Sequence, residues 1–301
     1  MELGMVGLGR MGANMAQRLV QAGHKVAGFD PMPEARARAA GHGIGPADTL
    51  EALVAGLPSP RIVWLMVPAG KIVDSTLDTL VPLLQPGDIV IDGGNSYYKD
   101  TLRRAGALQD KGIAYVDCGT SGGVWGLTEG YSMMVGGPDQ ALATLKPIFE
   151  ALAPSPTTGW GHVGPVGSGH FTKMVHNGVE YGLMQAYAEG FAILQGKQDF
   201  KLDLHQIAEV WRTGSVVRSW LLDLTAEALK DNPTMAGIAP YVEDSGEGRW
   251  TAAEAIDLDV AAPVITLSLL ERLRSREKDS YADKLLAAMR NGFGGHKITR
   301  E

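Results

Sequence analysis

The chain has 301 residues, 45 % of them hydrophobic, with 27 Lys and Arg against 34 Asp and Glu and a formal net charge of −7. That length allows two domains with substantial cores. The negative balance argues against nucleic acid as a partner and leaves any anionic ligand to local cations rather than to the field of the whole protein. A single cysteine, Cys118, excludes an internal disulfide and a cysteine-based metal cluster. No apolar run approaches the ~20 residues of a membrane helix, and Met1-Glu2 opens into a strand without a basic signal region. A soluble, cytoplasmic protein is expected.

Leu3-Gly4-Met5-Val6 reads as a short apolar strand, followed directly by Gly7-Leu8-Gly9-Arg10-Met11-Gly12 and a helix over 14–20. Lys25 to Phe29 supplies a second strand, which ends in Asp30, 18 residues after Gly12. A lone GxGxxG is weak; between a strand and a helix, with an acid at that distance, it meets the context of the dinucleotide fingerprint. Gly7 permits the tight turn, Gly9 lets backbone approach a pyrophosphate, and Gly12 lets the helix pack close. The helix start supplies amide donors and positive dipole to phosphates. Asp30 is placed to accept from both ribose hydroxyls and to repel a 2′-phosphate. Pro31-Met32-Pro33-Glu34 offers no cation to offset it, and Arg36 and Arg38 lie further along. NAD is therefore favoured over NADP.

Strands follow at 61–67, 88–92, 112–118 and 131–136, with helices between several of them, for example over 100–111. Such alternation predicts a mostly parallel, doubly wound sheet covered on both faces. Cys118 ends an apolar strand and reads as a buried structural thiol. Two loops sit after strands: Asp92-Gly93-Gly94-Asn95-Ser96-Tyr97-Tyr98 and Gly119-Thr120-Ser121-Gly122-Gly123. A turn explains each taken singly. Jointly they fall at the carboxyl ends of strands, where doubly wound sheets bind ligands. Ser121 with the amides of Gly122 and Gly123 suits a carboxylate, and Asn95 a bridge between substrate and nicotinamide.

After about residue 165 the strand signals stop. No proline interrupts 168–197, which predicts one long helix. Further helices are expected near 203–212, 216–230, 251–258 and 263–289. On the long helix Lys173 shares a face with His176 and Asn177 one turn on and with Glu180 two turns on. A bare Lys/Glu pair is usually a solvated face; the added His and Asn, the glycine entry and the upstream loops favour acid–base chemistry on a hydroxy acid. The helix falls at the junction of two expected domains, 1–165 and 166–301, where ligand sites concentrate. The tail Arg290-Asn291-Gly292-Phe293-Gly294-Gly295-His296 carries too many glycines to continue a helix. It should fray unless docked, which predicts a homo-oligomer, dimer or tetramer, with the tail in a partner's cleft.

GLGRMGANM, GGNSYY, the SGG loop, KMVHNGVEYG, GEGRWT and RNGFGGH together resemble the 6-phosphogluconate dehydrogenases, the decarboxylating enzymes of the pentose phosphate pathway and of gluconate utilization. GLGxMG, SGG and a later lysine are shared with the wider β-hydroxyacid dehydrogenases; KMVHNGVEYG and FGGH are more specific. The likeness runs from Met5 to His296 and fits a short form without a second helical repeat. It implies an α/β N-terminal Rossmann-like doubly wound sheet followed by an all-α C-terminal domain. It implies oxidation and decarboxylation of 6-phospho-D-gluconate to D-ribulose 5-phosphate with NAD, and no metal.

By that likeness Lys173 is the general base and Glu180 the acid that protonates C1 of the enediol. To act, Lys173 must be neutral near pH 7, far below the ordinary lysine value of about 10.4. Gly7, Leu8, Gly9, Arg10, Met11, Gly12, Asp30, Val67, Pro68 and Asn95 would hold the cofactor. Asn95, Ser121, Gly122, Gly123, His176, Asn177, Tyr181, Arg249, Arg272, Arg290 and His296 would hold the substrate, the last two from a neighbouring subunit. One departure stands out: long-chain members place a phosphate lysine just before the Gly-Trp segment, where this chain reads Glu243-Asp244-Ser245-Gly246-Glu247-Gly248-Arg249-Trp250. Two rivals stay open. A dehydrogenase of a small unphosphorylated acid such as 3-hydroxyisobutyrate would have no use for Glu180, Arg272, Arg290 and His296. A catalytically silent NAD-binding sensor would need no proton relay.

Overall fold

The computed structural model describes residues 1–294, 297 and 299. By internal contacts the chain forms two compact units, Met1–His176 and Asn177–Glu301. The first holds one eight-stranded sheet: β1 (Glu2–Val6), β2 (Lys25–Phe29), β3 (Gly45–Pro46), β4 (Ile62–Leu65), β5 (Ile89–Asp92), β6 (Ala114–Ser121), β7 (Ser132–Gly136) and β8 (Trp160–Gly164). Their order across the sheet is β3-β2-β1-β4-β5-β6-β7-β8. All pairs are parallel except β6 with β7. The first six strands thus have the 3-2-1-4-5-6 order of dinucleotide-binding sheets, and the order reverses between β1 and β4.

The helices of this unit are α1 (Arg10–Gln21), α2 (Pro33–Ala40), α3 (Leu50–Ala55), α4 (Lys71–Leu80), α5 (Tyr98–Gln109), α6 (Gly126–Glu129) and α7 (Asp139–Leu152). The period-2 alternation of strand side chains sorts the core into two layers. Leu3, Met5, Ile62, Trp64, Ile89, Ile91, Val116 and Cys118 pack on one face, with Met15 and Leu19 of α1 and Leu145, Ile148 and Phe149 of α7. Val6, Val63, Leu65, Val90 and Tyr115 pack on the other, with Leu53 of α3, Val73 and Leu77 of α4 and Leu108 of α5. Burial pushes the Cys118 thiol up to about 12, as expected of a structural rather than reactive cysteine.

Arg18 of α1 ties the loops of that first layer together. Its Nε donates to the carbonyls of Ala151 and Leu152, its Nη2 to Ala153 and its Nη1 to Leu127. A guanidinium set against carbonyls at the ends of α6 and α7 is where their dipoles favour a cation.

The long helix α8 (Ser168–Gly196) is continuous and passes from one unit into the other. The remaining helices are α9 (Leu204–Arg212), α10 (Trp220–Asp231), α11 (Glu247–Asp257), α12 (Pro263–Arg274) and α13 (Tyr281–Gly294). In the second unit Phe191 of α8 packs with Ala208 of α9 and Leu222, Ala226 and Leu229 of α10. Tyr181 of α8 packs with Ala252 of α11 and Leu269 of α12. Among the described residues, no helix is long and apolar enough to cross a membrane.

Three helical readings need correction. The stretch expected as one helix over 263–289 is two, because Ser280 caps a new helix by accepting from the Asp283 amide, while Ser275 turns its hydroxyl onto the Arg272 carbonyl at the end of α12. The stretch expected from 216 starts at Trp220, where Ser219 accepts from the Leu222 amide and sets the N-terminus. Arg290 to Gly294, expected to be non-helical, completes α13. A helical glycine costs only about 1 kcal/mol relative to alanine, and the preceding Leu285-Leu286-Ala287-Ala288-Met289 are strong helix formers. The edge strands β3 and β8 had no sequence signal, being two residues long and glycine-rich respectively.

Candidate active site

The loop after β1 has the properties its glycines require. Gly7 lies at φ +94°, and a Cβ there would fall 2.4 Å from the Met66 carbonyl oxygen. A Cβ on Gly12 would fall 2.0 Å from the Gly7 oxygen, so only glycine lets α1 sit this close to β1. A Cβ on Gly9 would meet nothing within 4 Å, which leaves open space beside the first turn of α1. Leu8 is buried, with its amide donated to Asp30, and Met11 packs on the core, so neither presents its side chain to the loop's open side; Arg10 is exposed. The cradle therefore fits a pyrophosphate, with unblocked space at Gly9 and a helix start behind it. Val67 and Pro68 follow β4, the strand across the order reversal from β1.

Asp30 follows β2 directly. Its Oδ2 accepts from the Leu8 amide at 2.8 Å and its Oδ1 from the Met32 amide at 2.9 Å, which fixes the carboxylate beside the glycine loop. Arg36, further along in sequence, is folded back by α2: its Nη1 donates to the Asp30 main-chain oxygen at 2.7 Å, and its Nη2 pairs with Asp48 at 3.2 Å. The residues right after Asp30 indeed carry no cation, but the turn brings one to it.

Asp92, at the end of β5, organises the loop that holds Asn95. It accepts from the Gly94 amide, the Ser96 hydroxyl and the Tyr115 hydroxyl, at 3.1, 2.7 and 2.9 Å. Asn95 itself is exposed. With the acid so placed, desolvation and the adjacent charge push the Tyr115 phenol well above its ordinary value, so it stays a donor.

β6 positions two groups on one strand. At its end Ser121 is half-buried, and Gly122 and Gly123 adopt φ +130° and +52°, a turn that glycine allows readily. Four residues earlier, the fully buried Asp117 receives the start of α8: Oδ1 accepts from the Gly167 amide at 2.7 Å and Oδ2 from the His170 amide at 2.8 Å. The approach is close enough that a Cβ on Gly119 would lie 2.3 Å from Lys173 Cβ. One on Gly169 would lie 2.6 Å from the Asp117 carbonyl oxygen. His170, buried, meets the Thr101 hydroxyl of α5 through Nδ1 at 2.7 Å. Lys173 emerges from this packing only 7 % exposed, with its Nζ 3.3 Å from His176 Nδ1.

In the second unit Asn177 is buried and Glu180 half-buried on α8. Seven residues separate Glu180 from Lys173, about 10.5 Å along a helix axis and nearly two full turns. Tyr181 is buried; the Arg272 guanidinium lies over its ring, 3.4 Å from the centroid, and donates to the Glu243 carbonyl at 2.9 Å. The Tyr181 hydroxyl is 3.4 Å from Ser245 Oγ. Glycines again allow contact: a Cβ on Gly248 would strike the Tyr181 ring at 2.4 Å, and one on Gly178 would strike Thr251 at 2.6 Å. Arg249 is bound by Asp244. Arg290 is exposed on α13, and His296 lies outside the described residues.

Two family models divide the chain between them. Residues 2–161 match the NAD binding domain of 6-phosphogluconate dehydrogenase, and residues 169–301 match the 6-phosphogluconate dehydrogenase C-terminal domain. The chain belongs to the 6-phosphogluconate dehydrogenase family. It is 48 % identical over 303 residues to the NAD(+)-dependent, decarboxylating 6-phosphogluconate dehydrogenase of Haloferax volcanii, covering 100 % of this chain and 99 % of that one. A Plasmodium falciparum 6-phosphogluconate dehydrogenase, whose structures include complexes with NADP+ and with 6-phosphogluconate, superposes with a TM-score of 0.84 at 29 % identity. That match spans 100 % of this chain and 66 % of the other. A 3-hydroxyisobutyrate dehydrogenase of Mycobacterium tuberculosis matches with a TM-score of 0.72 at 25 % identity, over 89 % of this chain and 90 % of that one.

Within this member of the 6-phosphogluconate dehydrogenase family, sequence reading overlooked Asp92, Thr101, Asp117, His170 and Ser245. The signal for Asp117 was present: an acid inside the apolar run Tyr115-Val116-Asp117-Cys118 has to be buried, and a buried carboxylate needs donors. What the sequence could not say is that the donors come fifty residues on. Asp117→Asn puts an amide N–H against one of two main-chain N–H groups. It should lower folding stability by roughly 1–3 kcal/mol, read as a fall in the urea midpoint at unchanged m-value.

Proposed function

We propose that the protein oxidatively decarboxylates 6-phospho-D-gluconate to D-ribulose 5-phosphate and CO2, with reduction of NAD, as a cytoplasmic enzyme of the pentose phosphate pathway. The observation that carries this reading is α8 itself: a buried lysine in contact with a histidine, with an asparagine and a glutamate further along the same helix. The naming of the Haloferax volcanii relative supports both the reaction and the cofactor. We assign residues 1–165 to cofactor binding and 166–301 to substrate and assembly.

Gly7 to Gly12 hold the pyrophosphate on the start of α1, Asp30 the adenosine ribose, and Val67, Pro68 and Asn95 the nicotinamide side. The bound nicotinamide supplies the hydride acceptor. Ser121 and the amides of Gly122 and Gly123 take the C1 carboxylate, and His176 and Asn177 the sugar hydroxyls. Neutral Lys173 removes the proton of the C3 hydroxyl as hydride leaves C3. The resulting 3-keto acid accepts a hydrogen bond from the now protonated Lys173. When CO2 leaves, the electron pair of the C1–C2 bond forms the C2–C3 double bond, and the ketone oxygen takes the lysine proton. Glu180 then protonates the carbon that becomes C1 of the product, while Lys173 recovers the enediol proton.

The 6-phosphate falls to Tyr181 and Arg272, with Arg290 and His296 supplied by a neighbouring copy. Arg272 suits the role because the aromatic ring, carbonyl oxygen and thioether that hold it among the described residues are neutral and leave its charge uncompensated there, whereas Arg249 is already matched to Asp244. A homo-oligomer is supported by large apolar side chains exposed on the second unit, among them Ile193, Ile256 and Val264.

Four measurements test this reading. Purified protein with NAD and 6-phosphogluconate should yield NADH and CO2 in equal amounts; NADH formation from 3-hydroxyisobutyrate but not from 6-phosphogluconate would replace it with the small-acid reading. Lys173→Met should abolish both hydride transfer and decarboxylation of a 3-keto intermediate. Glu180→Gln should leave those steps and slow the final protonation, with a solvent isotope effect. Native kcat/KM should favour NAD over NADP by at least ~tenfold, about 1.4 kcal/mol, and Asp30→Ala should narrow that gap.

A further inference from the structure

Asp30 presents an acid to the ribose, yet a guanidinium lies directly behind it. Both carboxylate oxygens of Asp30 are taken by main-chain amides, those of Leu8 and Met32. The carboxylate is therefore fixed by the backbone and does not swing to Arg36. Arg36 instead holds the main-chain oxygen of residue 30 with Nη1 and the Asp48 carboxylate with Nη2. The Arg36 side chain is 16 % exposed, whereas that of Asp48 is 88 % exposed, so the second bond is a solvent-screened one. A guanidinium carries five N–H donors in a planar fork, and these bonds use two. Arg38, two residues on, is exposed.

We propose that Arg36 is a latent 2′-phosphate ligand, and that Asp30 and Asp48 together keep this chain selective for NAD. The inference rests on the NAD preference proposed above and adds what enforces it. The trio carries a formal charge of −1, which disfavours a phosphate dianion. Neutralising Asp30 brings it to zero and removes the carboxylate that opposes the phosphate; neutralising Asp48 as well brings it to +1 and frees Nη2. A guanidinium one hydrogen bond from residue 30 then has the geometry and the spare donors that planar, bidentate phosphate binding uses. The Asp30 main-chain oxygen that positions Arg36 survives every side-chain substitution at that position, although Asp30→Ala also removes the bonds to the Leu8 and Met32 amides.

The test is a set of fluorescence titrations with NADH and NADPH on native protein and on the Asp30→Ala, Asp30→Ala/Arg36→Ala and Asp30→Ala/Asp48→Asn variants. The quantity read is the ratio of the two dissociation constants, so that a general loosening of the turn, which weakens both cofactors, cancels. Asp30→Ala should shift the ratio toward NADPH by at least tenfold. Adding Arg36→Ala should remove at least fivefold of that gain, and adding Asp48→Asn should extend it by two- to fivefold, less so at high salt. An unchanged ratio on adding Arg36→Ala to Asp30→Ala overturns the proposal. No sugar substrate enters the titration, so failure of the assigned reaction leaves its outcome unaffected. A native ratio near one would overturn the claim that Asp30 and Asp48 keep the chain selective for NAD, and the Arg36 half of the proposal would then stand or fall on the variants.

Discussion

The contact on which the rest of the site depends is that between one buried carboxylate and the first turn of one helix. Asp117 is fully buried in the sheet, where an acid is unfavourable unless its oxygens are met by donors. The start of α8 has amides to offer and a positive dipole end. Each satisfies the other through the Gly167 and His170 amides, and Gly119, Gly136 and Gly169 let the two backbones meet at distances any Cβ would forbid. Lys173 is one turn further along α8, and Ser121 four residues further along β6. The same contact therefore sets the positions of the proposed base and of the proposed carboxylate cradle, so the distance between them does not rely on flexible side chains.

The device recurs across the sheet. Asp30 after β2, Asp92 at the end of β5 and Asp117 on β6 each accept from main-chain amides: Leu8 and Met32 for Asp30, Gly94 for Asp92, Gly167 and His170 for Asp117. Each fixes a segment that carries proposed ligand contacts. Glycine-rich loops can approach a ligand because they lack side chains, and for the same reason they have little of their own to hold their shape. An acid at the adjoining strand end supplies the missing constraint through hydrogen bonds to the loop's own backbone.

This explains what could and could not be read in advance. The β1–α1 glycine loop, the parallel sheet, the long helix through 168–196 and the face shared by Lys173 and Glu180 were legible because each is local: a spacing of glycines, an alternation of strand and helix, a period of 3.6. Asp117 and His170 were not, since their meaning comes from a partner fifty residues away. Arg36 was discounted because it lies six residues from Asp30 in sequence, although α2 folds it onto that residue's carbonyl. The break between α12 and α13 escaped notice because serine caps are weaker marks than proline or glycine. The helical Arg290 to Gly294 was misread by weighing two glycines above the five strong helix formers before them.

In a protein with seven more negative than positive formal charges, what matters for an anionic substrate is which cations remain uncompensated. Arg249 is matched by Asp244, and Arg36 by Asp48. Arg272 is held differently: by the face of the Tyr181 ring, by the Glu243 carbonyl and by the Met184 thioether. A π-face and neutral acceptors fix a guanidinium in place without cancelling its charge. Tyr181 is itself wedged by Gly248, where no side chain fits, so the plane on which the guanidinium rests is set by backbone packing. An ion pair would position the arginine equally well, but a phosphate would then have to compete with a carboxylate for it. Holding it on an aromatic ring avoids that competition, which is why the aromatic character of Tyr181 is as much a part of the proposed phosphate site as the charge it supports.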